Sequence, residues 1–297
     1  MAVDLAPVVA GARRVFCCHE ATLTGRHARN SLEAVAECVA AGVPRLEVDV
    51  RFLADDGMLV FHDGWFDATT DTDGAVSTFD TAATRRIRTT PHGSTLPLFE
   101  EVVDVIRHGE TLLQVDLKLM RWMTAERESR LAAAMEPIRD RVLIGSMAHW
   151  NLRGLHDRGF RVALDPTLQW HALPQRDPGG GIAPGRMGLH GLWDDAPLAH
   201  VPRVAAAHYL ASRVEDLLAL LPASEWMVDY RTLLHLRTME FDLGLELAKR
   251  GVELAAWTIR DEGPDATKPL LAALFSLGTA TVITDYAERL AEYARAL

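Results

Sequence analysis

Three carboxylates and two histidines in the first 120 residues have the types and spacing that metal-assisted phosphodiester cleavage needs. Glu47 and Asp49 stand two apart in the β-type run Arg45 to Val50, so both project from one face of a strand and can reach one cation. Asp116 and Lys118 repeat that spacing at the end of a second run, Leu112 to Leu117. Three carboxylates brought together repel one another unless a cation sits among them, and an all-oxygen donor set suits one hard divalent ion, Mg²⁺ or Ca²⁺. His19 follows the run Val15 to Cys18, and His62, with Asp63 beside it, ends the stretch that closes on Val60-Phe61. Histidines titrate near neutral pH, so one can take a proton from a nucleophile while the other gives one to a leaving oxygen. Lys118 would hold a phosphate oxygen as a point charge.

Such residues act together only if one architecture brings their strand ends together. Short β-type runs alternate with helix-type segments through most of the chain, which calls for a parallel sheet with crossover helices. The runs are Val15 to Cys18, Arg45 to Val50, Leu112 to Leu117, Arg141 to Ser146, Phe160 to Asp165, Trp226 to Tyr230, Glu253 to Thr258 and Ala280 to Thr284. Eight such runs predict an α/β protein, a single (β/α)₈ TIM barrel over residues 1–297, whose site lies where the strands end. Between the first two, Leu32, Val35, Ala36 and Val39 recur at helical spacing, with Asn30 or Ser31 to cap the start and Gly42 to stop it. Similar helices are expected over Leu243 to Arg250 and over Leu270 to Leu277, the latter set off by Pro269 and Gly278.

Two segments break the rhythm. Arg51 to Phe61 carries Asp56-Gly57 between extended stretches and predicts a hairpin after the second strand. Residues 166–222, with Asp177-Pro178 followed by three glycines and with further prolines, are too long for a βα loop and predict an insertion at the barrel mouth between strands 5 and 6.

Composition narrows the partners. The 297 residues hold 41 acidic against 31 basic side chains, a formal charge of −10, the wrong sign for general attraction to nucleic acid or an anionic membrane. A small-molecule phosphodiester, met by local positive charge, is the expected partner. The three cysteines, Cys17, Cys18 and Cys38, have neither zinc spacing nor an even count for a disulfide framework. Near the N-terminus the arginines follow the apolar stretch, opposite to a secretory signal. The longest uncharged apolar run, Leu270 to Thr284, is shorter than the roughly 18 to 20 residues that span a bilayer. These features predict a cytoplasmic protein without a transmembrane segment. The scattered tryptophans read as core or loop anchors.

The motifs around these residues resemble the glycerophosphodiester phosphodiesterase family. The resemblance rests on His19, Asn30-Ser31-Leu32, Leu46-Glu47-Val48-Asp49-Val50, Asp56-Gly57, Val60-Phe61-His62-Asp63 and Thr69-Thr70-Asp71. Farther on it rests on Thr95-Leu96-Pro97-Leu98-Phe99, on Ala256-Trp257-Thr258 and on Val282-Ile283-Thr284-Asp285. It implies a barrel in which Glu47, Asp49 and Asp116 bind the metal, His19 and His62 serve as acid and base, Asp63 orients His62, and Lys118 and Trp257 line the substrate pocket. The implied reaction releases glycerol 3-phosphate and an alcohol.

The chain also departs from the family. His19-Glu20-Ala21 stands for His-Arg-Gly, Arg29-Asn30-Ser31 for Glu-Asn-Thr, and Asp116-Leu117-Lys118 for Glu-x-Lys; the last is more similar to sphingomyelinase D type enzymes. Positions 20 and 29 have thus exchanged sign, and Arg29 is expected to bring to the phosphate the charge that position 20 lacks. Two other readings are a phospholipase D-like enzyme that forms a cyclic phosphate, and a catalytically silent barrel that binds a phosphorylated ligand.

Overall fold

A computed structural model describes residues 3–167 and 206–297. Eight parallel strands form its barrel: β1 (Val15–Cys18), β2 (Arg45–Phe52), β3 (Leu112–Leu117), β4 (Val142–Ser146), β5 (Arg161–Leu164), β6 (Glu225–Asp229), β7 (Glu253–Trp257) and β8 (Thr281–Thr284). Each pairs with the next, and β8 pairs with β1 from Thr281 opposite Val15 to Thr284 opposite Cys18, while β1 meets β2 at Cys18 opposite Leu46. The ring is therefore closed, and β8 stands directly beside β1.

The side-chain alternation of a strand explains both the core and the site. On β2, Leu46, Val48 and Val50 are fully buried and pack outward against the helices; such burial contributes roughly 1.5 to 3 kcal/mol per side chain. Arg45, Glu47 and Asp49 therefore face inward. On β3 the same rule sends Leu113, Val115 and Leu117 outward and Gln114 and Asp116 inward. The inner face carries a small apolar cluster of Cys17, Leu143, Ala163, Met227, Ala255 and Ile283. It also carries a buried ion pair: Arg45 donates to both oxygens of Glu225, at 2.8 and 2.6 Å, and to Gln114 Oε1. With every donor and acceptor oriented, this pair ties β2, β3 and β6 together across the barrel.

The first helix, Leu32–Ala41, begins where expected. Ser31 Oγ accepts from the Ala34 amide, and Gly42 ends it with φ of 68°. The last crossover helix differs from its expectation. It runs Pro264–Ser276 and takes Pro269 into its interior. Pro264 sits in its first turn after Gly263, where the missing N–H costs nothing, and the helix absorbs the single bond lost at Pro269.

The hairpin after β2 pairs Val50 with Val60 and Phe52 with Met58, and it is the start of something larger. Leu53, Leu59, Phe61, Phe66, Val76, Ile87 and Leu96 form a separate buried cluster, so residues 53–98 make an arm with its own core. Within the expected insertion at 166–222, Ala206–Leu220 is a helix that precedes β6. The rest of it, 168–205, lies outside the described residues. Among the described residues no helix is long and apolar enough to cross a membrane.

Candidate active site

β1 ends at Cys18 and the chain turns sharply through His19–Ala21, with Glu20 and Ala21 at φ of 48° and 54°. This left-handed conformation is costly for residues with a side chain. It is held by the Glu20 amide donating to Glu47 Oε2 at 2.8 Å and by the Asn30 amide donating to the Glu20 carbonyl at 2.9 Å. The turn thereby aims His19 across the mouth. Its Nδ1 lies 2.8 Å from Asp285 Oδ1, on the loop after β8, and its Nε2 lies 3.9 Å from Glu47 Oε2.

Register places the carboxylates. Asp49 and Asp116 are partners across β2 and β3, and one oxygen from each of Glu47, Asp49 and Asp116 falls within a group no more than 4.8 Å across. Glu47 and Asp49 are 2% and 1% exposed. Burial, with repulsion from Asp49, pushes the Glu47 carboxyl well above its ordinary range. Asp49 Oδ2 accepts from the Asn30 amide group at 2.8 Å, whereas its Oδ1 is buried and accepts no hydrogen bond. Lys118 Nζ stands 3.1 Å from that oxygen and 2.7 Å from Asp116 Oδ2. Burial opposes the charge on Lys118, but Asp116 and Asp49 outweigh it and raise its pKa. Lys118 pairs with Asp49 and Asp116, and the convergence of these two carboxylates with Glu47 within 4.8 Å offers an all-oxygen donor set that fits a hard divalent ion.

His62 lies on the arm, and its Nδ1 is 2.8 Å from Asp63 Oδ1. Its ring also joins Glu20 and Asp49 in a second group of ligand atoms within 4.8 Å. Arg51 fixes the backbone here by donating to the carbonyl oxygens of His62, at 2.9 Å through Nε, and Lys118, at 3.3 Å. Trp257, ending β7, packs on the inner apolar cluster and donates its indole N–H to the Met227 carbonyl at 3.2 Å.

The structure thus gathers His19, Glu47, Asp49, His62, Asp63, Asp116 and Lys118 at one end of the barrel. Arg29 reaches the mouth too, but its two terminal nitrogens donate to Asp285 at 3.2 and 2.7 Å, and it stands 3.6 Å from Glu20. Its charge faces those carboxylates, so the expectation that it is free for phosphate needs that clamp to open.

Three further residues, to which the sequence assigned no part in the site, help to build it. Asp285 was legible, since it follows the last strand as His19 follows the first, and strand ends converge in a barrel. Asn30 reads as a helix cap but bonds Asp49 instead. Arg51 has no sequence signal, because its targets are backbone carbonyls.

Burial opposes the imidazolium of His19, but the Asp285 hydrogen bond and the nearby Glu47 and Glu20 lift its pKa to about 9. Asp285 is lowered despite its own burial, by His19 and Arg29. Burial raises Glu20. Beside these residues a cleft of about 760 Å³ opens between the loop 20–30, the arm and the start of the last helix, bordered by Glu20, His62 and Asp285.

The fold and mouth define a parallel (β/α)₈ barrel with an inward acidic cluster bordered by two carboxylate-bound histidines. Residues 22–169 match the Glycerophosphoryl diester phosphodiesterase family. Two glycerophosphodiester phosphodiesterases, from Bacillus altitudinis and Caldanaerobacter subterraneus, are each 25% identical over 141 and 156 residues. Those alignments take in 44% and 48% of this chain, and the chain spans only 58% and 64% of those relatives' lengths.

Among solved structures, a glycerophosphodiester phosphodiesterase from Parabacteroides distasonis superposes with a TM-score of 0.65 at 15% identity, covering 95% of this chain and 96% of that one. An Oleispira antarctica phosphodiesterase in complex with its product sn-glycerol-3-phosphate gives 0.60 at 16% identity, covering 94% and 95%. At such identities the superpositions establish the fold.

Proposed function

We propose that this chain is a metal-dependent phosphoric diester hydrolase that cleaves glycerophosphodiesters to glycerol 3-phosphate and an alcohol. One observation carries this reading: each histidine has its Nδ1 on a carboxylate, His19 on Asp285 and His62 on Asp63, at 2.8 Å. Such a bond fixes the tautomer and leaves Nε2 for proton transfer, and both rings border the acidic cluster, His19 at 3.9 Å from Glu47 and His62 within 4.8 Å of Asp49. A pure phosphate binder has no use for that pairing.

Glu47, Asp49 and Asp116 would hold the divalent ion, which supplies charge to offset that building on the phosphoryl oxygens. His19, whose Nε2 faces Glu47, takes the proton from the attacking water. The water oxygen bonds to phosphorus as the bond to the alcohol oxygen breaks, and His62, on the cleft side, gives that oxygen its proton. Lys118 holds a phosphate oxygen, and Trp257 walls the glycerol half. Asp63 and Asp285 orient the histidines, and Arg29 acts through Asp285. The three cysteines are buried free thiols, in keeping with a reducing, cytoplasmic setting.

Phosphorus NMR of glycerophosphodiester turnover, with and without Mg²⁺ or Ca²⁺, tests the reading. Glycerol 3-phosphate formed only with metal is the expected result. A cyclic phosphate product would replace hydrolysis by the phospholipase D-like route, and no turnover with either ion would leave a binding protein.

A further inference from the structure

We propose that Glu20 selects the alcohol half of the substrate, favouring an alcohol that carries a primary ammonium two carbons from the phosphate over neutral or N-methylated ones. The proposal rests on the hydrolase reading above and adds to it which phosphodiester is preferred.

The argument begins with where the alcohol must lie. His62 borders the cleft of about 760 Å³, whereas His19 does not, and Lys118 and Asp116 are also absent from its walls. An alcohol oxygen protonated by His62 therefore has its carbon chain in this cleft. Glu20 stands at the junction. It borders the cleft, and one of its carboxylate oxygens lies within 4.8 Å of a His62 ring nitrogen and an Asp49 oxygen. A group two carbons from the departing oxygen falls within reach of that carboxylate.

The charges around the cleft favour a cation there. Arg29 is engaged by both Asp285 oxygens and approaches Glu20 no closer than 3.6 Å. Arg289, the other arginine on the wall, is paired with Asp261 at 2.8 Å. Neither arginine donates a hydrogen bond of normal length to Glu20, although Glu20 is only 7% exposed. A substrate N–H can supply that bond. A trimethylated nitrogen has no N–H to give, and a hydroxyl forms only the weaker neutral bond.

The test compares kcat/KM of the metal-loaded full chain for glycerophosphoethanolamine, glycerophosphocholine and glycerophosphoglycerol. The wild-type chain should prefer the ethanolamine diester by about tenfold or more, the scale of one charge-assisted hydrogen bond. Glu20→Gln should bring the ratio of the ethanolamine to the glycerol diester's kcat/KM toward one, whatever it does to the chemistry common to both, and Glu20→Asp, which keeps the charge, should retain part of that ratio. Equal values in the wild-type chain would overturn the proposal. So would a Glu20→Gln enzyme that loses all three activities alike, since Glu20 would then serve the metal or the fold. If none of the three is hydrolysed, the hydrolase reading itself fails and takes this proposal with it.

Discussion

His19 and Asp285 stand 266 residues apart in the chain and 2.8 Å apart in space, Nδ1 to Oδ1. The contact exists because the last strand closes on the first, and it sets the charge of the histidine nearest the acidic cluster. In the metal-free protein the His19 imidazole should titrate near 9. Asp285→Asn should bring the midpoint down toward the ordinary value of 6.5, as read by NMR of the ring. Because the folded pKa is raised, the stabilisation from this group is fully present below pH 6.5 and fades as pH climbs through about 9. A midpoint unchanged by Asp285→Asn would remove Asp285 from the role.

Metal binding should lower that same midpoint, since a divalent charge held by Glu47, Asp49 and Asp116 opposes the imidazolium. It should also raise Tm in proportion to the logarithm of metal concentration above Kd. Asp49→Asn should abolish both effects together with turnover. Retention of metal-dependent stabilisation in that variant would show that the ion sits elsewhere.

His62→Ala should lower kcat by on the order of 10²- to 10⁴-fold, the usual contribution of a proton-transfer partner, with Tm close to wild type because His62 is 48% exposed. If the donor role is right, the loss should be smallest for diesters whose leaving alcohol is acidic and needs little protonation. An equal loss for good and poor leaving groups would move His62 out of that role.

Arg29→Ala should lower kcat/KM by about tenfold, and the defect should travel with the His19 titration, because both guanidinium bonds go to Asp285. A lowered kcat/KM with an unperturbed His19 would instead indicate that the guanidinium meets the phosphate itself.

Gly244→Ala should destabilise the fold by about 1 to 3 kcal/mol, measured by denaturant unfolding. A Cβ there would fall 1.7 Å from the Leu277 carbonyl oxygen, a backbone atom that cannot swing aside. Wild-type stability in this variant would mean that the two segments part easily.

Much of the site was legible along the chain because strand alternation is local. The period of two by itself put Glu47 with Asp49 and Asp116 with Lys118, and it kept Val48 and Leu117 off that face. Counting strand-like runs predicted eight strands, and the Ser31 cap and Gly42 stop needed only neighbouring residues. Closure of the ring is different in kind. It brings residues from opposite ends of the chain together, so the Asp285 bond to His19 and the Arg45–Glu225 pair depend on which strands become neighbours. The arm at 53–98 likewise owes its size to burial of Phe66, Val76 and Ile87 against Leu53 and Leu59. No periodicity announces a small core assembled from loops. Nor could the exchange of sign at positions 20 and 29 be read through to its consequence. Only the folded loop shows Arg29 drawn to Asp285, leaving the Glu20 carboxylate at the edge of the cleft.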